Sequence, residues 1–382
     1  MKISVLAPNL SHNSLGRAYL LAKLLQRRYE VEIIGPTFNN KLWPPLANEK
    51  GITIKPININ FKNKLNFIKY FKIISNIIEG DIIYASKPYI TSFGTGILLK
   101  SLKKKPLILD IDDWELGIFK ENFKGISLYF RSLGYWQFSI LEKLSFIANE
   151  ITVSNTFLQK KFGGTVIWHT RDPNLFNPKK YNIKKIRKKY NVDENKKIIM
   201  FFGTPKPYKG IDDLIEAMCL IKDPDIILCI VGINESDKYC KNIINKAISK
   251  LKNRFIYYGF QPFNKVPEIL TMADIIVVPQ RKCTATIGQI PAKIFDAMAL
   301  GKPIIATDVS DLGKILKNCG IIIEPSNPQM LAKKIVELIN DPKYMTKLGE
   351  ASRKRFLEKY SWEIVSSNLI KLFEKYEHQF KQ

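Results

Sequence analysis

The chain has 382 residues, 46% of them hydrophobic and 11% aromatic, and carries a formal net charge of +25. That length exceeds what one core usually holds, so two domains are expected, and the apolar content can fill both. No run of roughly 18 uncharged apolar residues occurs, which excludes a bilayer-spanning helix, and the opening MKISVLAPNLSHN stops its apolar run at Pro8, too short for a signal-peptide core, so the protein is expected in the cytosol. Cys219, Cys229, Cys240, Cys283 and Cys319 are scattered, with no CxxC pair and no histidine at ligand spacing, which argues against a disulfide framework and against zinc. His12, His169 and His378 are too few for chemistry built on histidine pairs. The cationic excess attracts nucleic acid, anionic lipid or phosphorylated ligands.

In chain order, Lys2 to Pro8 reads as a buried strand, Asn9 to Gly16 as a polar loop, Arg17 to Arg28 as an amphipathic helix and Tyr29 to Gly35 as a second strand. This is a βαβ opening. Further strands are predicted at Asp81 to Ser86, Pro106 to Ile111 and Glu150 to Val153. Gly94 and Gly96 lie in SFGTG, which lacks the GxGxxG fingerprint and is read as helix packing. Two insertions are basic and apolar. Phe61 to Ile78 sets Leu65, Ile68, Phe71 and Ile74 against Lys62, Lys64, Lys69 and Lys72. Phe119 to Phe146 holds Phe123, Tyr129, Phe130, Tyr135, Trp136 and Phe138 with Lys120, Lys124 and Arg131. Such segments lie on anionic membranes, or else pack on their own domain behind a solvated lysine face.

Between Val166 and Lys189 the periodicity breaks at HTRDPNLFNP (His169 to Pro178), which marks a domain boundary. Strand–helix alternation then restarts, with strands expected at Lys197 to Phe202, Asp225 to Val231, Arg254 to Tyr258, Ile275 to Pro279, Pro303 to Thr307 and Gly320 to Ile323. Two doubly wound α/β domains in tandem imply a central cleft, with ligands at strand carboxyl ends.

Two loops carry chemistry. The strand ending at Phe202 runs into GTPKPYKG (Gly203 to Gly210) and a helix, which puts Lys206 and Lys209 beside a helix N-terminus. No Walker sequence is present, yet a strand–loop–helix of this kind suits negative charge. In IGQIPAKIFDAMALGKPIIAT (Ile287 to Thr307) Lys293 and Asp296 fall early in a short helix before a buried strand. The cation can meet a phosphate and the carboxylate can accept sugar hydroxyls; equally, both can be solvated charges of a surface helix.

Gly203 to Gly210 followed by DDLIEAM, then IILCIVG, YYGFQPFNKVPEILTMADIIVVP, PAKIFDAMALGKPIIAT and YSWEIV come in the order of glycosyltransferase family 4, which this chain resembles strongly over its second half and more weakly over its first. The resemblance implies the GT-B fold, two Rossmann-like domains facing a central cleft: an acceptor domain, 1–172, completed by a C-terminal helix, 362–382, and a donor domain, 173–361. It implies that Lys209 contacts the donor diphosphate, that Asp296 holds the ribose hydroxyls, and that Gly16 and Arg17 form the glycine loop near the phosphate. Gly203, Gly232 and the strip after Gly259-Phe260 would wall the nucleotide. Three positions depart from the pattern: Gly288, after Ile287, stands where the first acid of E-x7-E is expected; Thr204 replaces a usual arginine, with Lys206 as substitute; Asp112 stands where many members have histidine. Pro291, Lys293 and Asp296 resemble the P-x-K-x-x-E/D subgroup, in which the lysine helps bind phosphate.

The expected reaction is therefore metal-independent hexosyl transfer, with retention, from a nucleotide-diphosphate sugar to a hydroxyl acceptor. Lys206, Lys209 and Lys293 would stabilise the leaving diphosphate and Asp112 would complete the catalytic set. The Asp110-Ile111-Asp112 triplet imitates a metal-binding DxD, but no metal or cofactor is expected. A glycan or lipid-linked acceptor of surface-polysaccharide assembly, at the inner face of an anionic membrane, is expected by analogy; nucleic acid is not a predicted partner. Rivals are a hydrolase using Asp112 and Asp296 and an inactive GT-B scaffold acting as a binding subunit.

Overall fold

A computed structural model describes residues 1–38, 40–59, 65–123 and 133–380, and the chain divides into two compact units. The first comprises Met1–His169, Gly288–Ile290 and Glu363–Gln382; the second, Thr170–Ile287 and Pro291–Trp362. Lys62, Lys64, Lys124, Tyr129, Phe130 and Arg131 of the two basic insertions lie outside the described residues.

In the first unit, β1 (Lys2–Leu6), β2 (Glu30–Thr37), β3 (Thr53–Asn58), β4 (Ile82–Ser86), β5 (Leu107–Ile111), β6 (Glu150–Val153) and β7 (Thr165–Val166) form one parallel sheet in the order β3-β2-β1-β4-β5-β6-β7. KISVL and LILDI are buried at nearly every position because helices cover both faces of such a sheet. The helices are α1 (Leu15–Leu25), α2 (Leu65–Ile77), α3 (Thr95–Lys103), α4 (Glu115–Asn122), α5 (Leu133–Lys143) and α6 (Thr156–Phe162). Tyr70 and Ile74 of α2, Leu99 of α3, Leu141 of α5 and Leu158 of α6 share one core with Leu6, Ile83, Leu107 and Leu109. Gly96 lets α3 close on the sheet, since a Cβ there would lie 2.7 Å from Leu107 Cδ1.

Two differences from the sequence-based expectation have physical causes. Strand β3 is not signalled by the sequence because TIKPIN is an edge strand with a polar outer side, and neither its pattern nor its proline marks a buried run. Along α2, the residues Leu65, Ile68, Phe71 and Ile74 that the sequence sets together against the lysines do not share one environment: Ile74 is buried with Tyr70, while Leu65 and Ile68 are exposed. Lys69, Lys72 and Asn76 cluster opposite Tyr70 and Ile74, and Leu65 falls on the lysine side of the helix, so it turns outward with them.

The second unit repeats the plan. Its strands β8 (Lys197–Phe202), β9 (Ile226–Ile233), β10 (Phe255–Gly259), β11 (Ile275–Val278), β12 (Ile304–Thr307) and β13 (Ile321–Ile323) form a parallel sheet ordered β10-β9-β8-β11-β12-β13. Around it lie α7 (Ile183–Lys189), α8 (Ile211–Leu220), α9 (Lys238–Leu251), α10 (Val266–Thr271), α11 (Thr284–Ile287), α12 (Lys293–Ala299), α13 (Leu312–Ile315), α14 (Pro328–Asn340) and α15 (Pro342–Lys359). The last helix, α16 (Trp362–Glu377), belongs from Glu363 to the first unit, where Ser366 Oγ donates to Leu24 O at 2.8 Å and the Phe373 ring meets Tyr84 edge-on at 5.4 Å.

Candidate functional site

In the second sheet the strand order reverses between β8 and β11, so the loops leaving their carboxyl ends diverge and open a site there. The β8 loop is fixed by glycines. Gly210 has a φ of 71°, and a Cβ there would lie 1.7 Å from Pro279 O, so no other residue fits. Arg281 N–H donates to Tyr208 O at 3.0 Å, and its guanidinium grips Asp213 through Nε at 2.9 Å. This ties the β8 loop, α8 and the β11 loop into one frame. Pro207–Lys209 forms a single tight turn that buries Lys209 just ahead of α8.

Lys293 rises from the start of α12 into the same place. Its Nζ lies 4.0 Å from the centre of the Phe201 ring, and a Cβ on Gly203 would be 2.5 Å from it. Gly203 has a φ of 120° and Gly232, at 103°, packs directly on it. Among the described residues no hydrogen bond or ion pair satisfies the Lys293 ammonium. Burial, and then the charge of Lys209, push its pKa well below the usual lysine value, while Asp296 opposes them. Two cations thus converge on a glycine-lined floor, and of the two the Lys293 ammonium has its charge disfavoured by burial and by its neighbour.

One turn along α12, Asp296 is buried and accepts from Arg171 Nε. Burial raises its pKa; Arg171, and less so Lys293, hold it back. The Arg171 guanidinium sits 5.4 Å from the Phe263 ring centre. Nothing in HTRDPNLFNP distinguishes Arg171, whose partner lies 125 residues away. Lys206, expected beside the other lysines, is drawn off to Asp237 at 3.3 Å, the residue that caps α9. Thr204 and Ile287 are half-buried and Phe260 is exposed. The amide of Gln280, at the carboxyl end of β11, is 1% exposed and has no hydrogen-bond partner among the described residues.

The other residues that the sequence singles out lie in the first unit, and they are engaged internally. Arg17 is buried in a forked pair with Asp110, Nε to Oδ2 at 3.0 Å and Nη2 to Oδ1 at 2.9 Å, beside the half-buried Gly16. Asp112 pairs with Lys87 at 2.8 Å, and the same ammonium meets Asp113 at 2.7 Å and Glu115 at 2.6 Å. Burial opposes the charge on Lys87, but the three carboxylates outweigh it and hold its pKa well above the usual value. Burial pushes Asp112 up to about 7 against the pull of Lys87. The three acids offer oxygens within 4.8 Å of one another, a spacing that could hold a cation, and the lysine supplies that positive charge. Gly288 is buried: Trp114 N–H donates to its carbonyl at 3.2 Å, and a Cβ would lie 2.6 Å from Trp114 Cβ. No acidic side chain fits there, so the departure from E-x7-E has a steric cause in the packing of this chain.

Two parallel α/β units with these topologies define the GT-B fold, and solved structures agree. The chain is similar to HepE of Anabaena in complex with UDP-glucose, with 19% identity, a TM-score of 0.79 and coverage of 98% of this chain and 100% of that one. It is likewise similar to sucrose-phosphate synthase of Thermosynechococcus elongatus, at 18% identity, a TM-score of 0.78 and coverage of 99% and 100%. In sequence, residues 182–355 match the family described as glycosyl transferases group 1. An uncharacterized glycosyltransferase of Methanocaldococcus jannaschii is 28% identical over 320 residues, 82% of each chain. The chain is thus similar in sequence to glycosyltransferases, through the family match over most of its second unit and through this relative over most of its length.

Proposed function

We propose that the protein is a retaining, metal-independent glycosyltransferase that moves a hexosyl group from a nucleotide-diphosphate sugar to a hydroxyl acceptor. The observation that carries this is the pair Lys209 and Lys293 on the glycine floor at the β8–β11 switch point, with the Lys293 ammonium unsatisfied by any described residue. As the glycosidic bond lengthens, negative charge grows on the diphosphate. The two ammonium groups and the N–H groups opening α8 then hold the transition state more tightly than the ground state. Arrival of the diphosphate also gives Lys293 the counter-charge it lacks, so it binds protonated. The leaving phosphate takes the acceptor proton on the face it vacates, and no protein nucleophile is used. In this reading Asp296, held by Arg171, binds the ribose hydroxyls, and Gly232 and the segment after Gly259 wall the base.

The acceptor fits a lipid-linked or surface-polysaccharide precursor at the inner face of the membrane, with the protein cytoplasmic and peripheral. This rests on the basic, apolar helices of the first unit; no described helix is long and apolar enough to cross a bilayer. The inactive-scaffold reading draws on Gly288, whose identity the Trp114 contact accounts for. A hydrolase using Asp112 and Asp296 would need both free for catalysis, and each is paired with a cation.

Calorimetry with UDP, GDP, ADP, CMP and dTDP, with and without EDTA, tests the reading. One diphosphate is expected to bind selectively, unaffected by EDTA, and to lose its affinity in Lys209→Ala. Binding of none of them, or binding abolished by EDTA, overturns the proposal. Retention is read from the anomeric configuration of the product by NMR.

A further inference from the structure

Helices α2, α3 and α5 lie side by side on one face of the first sheet. Lys103 Nζ of α3 donates to Ser75 O of α2, Lys100 Nζ donates to Ile147 O just beyond α5 at 2.7 Å, and a Cβ on Gly94, preceding α3, would touch Leu141 of α5 at 3.7 Å. Their inward residues fill the core described above; their outward residues are also apolar. Along α5, Leu133, Trp136 and Ile140 recur at helical spacing and are 82%, 47% and 50% exposed. Leu98 and Leu102 repeat this on α3, Leu65 and Ile68 on α2, and Phe146, 76% exposed, follows α5. An outward apolar stripe on each of three neighbouring helices is not what a solvated surface presents.

The charges beside these stripes have one sign. Lys69, Lys72, Lys103, Lys104 and Lys143 are exposed, and the only acid within the three helices, Glu142, is buried against Trp114. We infer that this three-helix face docks on an anionic lipid bilayer, with Leu65, Ile68, Leu102, Leu133, Trp136, Ile140 and Phe146 entering the interface and the lysines meeting headgroup phosphates. A second copy of the chain is a poor occupant, because a two-fold interface would set lysines against lysines. This assigns a specific face, α3 included, to the membrane partner named above, and it is independent of the transfer chemistry.

The test is sedimentation of the full chain with phosphatidylcholine vesicles containing or lacking phosphatidylglycerol, without donor or acceptor, so failure here leaves the transferase reading untouched. Binding to the anionic vesicles alone is expected. Lys69→Glu/Lys72→Glu/Lys143→Glu should weaken it at least tenfold, as should Trp136→Ser/Ile140→Ser, with thermal melting unchanged because all five side chains are exposed. Brominated lipid should quench the parent protein more than Trp136→Phe, a readout that survives should the polar variants misfold. Absence of vesicle binding at low salt, equal binding to neutral vesicles, or binding and quenching indifferent to these substitutions overturns the inference. Self-association through these residues overturns it too.

Discussion

Lys293→Met separates what the donor site costs from what it does. The unbranched stem stays on the Phe201 ring. The ammonium–ring attraction of about 0.5–2 kcal/mol is exchanged for a sulfur–aromatic contact of about 0.3–1.5 kcal/mol, so these terms nearly cancel. What remains is removal of a desolvated positive charge beside Lys209. At an effective dielectric of about 20, the repulsion between two neighbouring unit charges is on the order of 2 kcal/mol. Halving this for the solvent that reaches Lys293 leaves a gain of about 1 kcal/mol in the empty protein, a rise in Tm of about 2–4 °C. The pH dependence follows from the direction of the shift. With the native pKa well below that of the unfolded chain, the unfolded state binds more protons in between, so parent stability climbs with pH across that window. The advantage of Lys293→Met is therefore greatest at low pH and fades toward about pH 10. Turnover should meanwhile fall on the order of 10²–10³-fold, about 2.7–4 kcal/mol of transition-state stabilisation. Thermal melts across pH, with donor turnover alongside, read both effects. A variant less stable than the parent near neutrality, a stability difference that does not vary with pH, or undiminished turnover would refute the reasoning.

Lys209→Ala should also lose about a hundredfold in turnover, whereas Lys206→Ala should change it only a few-fold, because that ammonium is paired with Asp237; steady-state kinetics on the two variants distinguishes them. Gly288→Ala should destabilise by about 1–3 kcal/mol in denaturant melts, since its methyl would lie 2.6 Å from Trp114 Cβ and 3.2 Å from the Phe157 ring. For Asp112 the native pKa, pushed up to about 7, exceeds the unfolded value, so the native state binds the extra proton and the Asp112 contribution to stability declines as pH rises from about 4 to 7. Asp112→Asn should flatten that decline; an unchanged stability profile between those values would contradict the assignment.

How far the sequence reaches differs between fold and site. Strands such as IILCIVG and LILDI are apolar runs bounded by turn residues, a local property, so the two parallel sheets are legible without coordinates. The glycines and lysine of the β8 loop can be read for the same reason, since Gly203, Lys209 and Gly210 are neighbours in the chain. The identity of charge partners cannot. Arg171 and Asp296 are 125 residues apart, and Arg17 and Asp110 are 93 apart. Only the fold brings each pair together, and only the fold sends Lys206 to Asp237 instead of to the other lysines. Gly288 reads as a missing acid in the sequence; packing against Trp114 makes it a steric requirement. Backbone pattern is encoded by neighbours within a few residues, whereas burial and charge pairing depend on residues that the chain brings close only after it has folded. The sequence by itself determined two α/β units and where their loops rise; the tertiary structure decided which charges meet, sending Lys206 to Asp237 and Arg171 to Asp296.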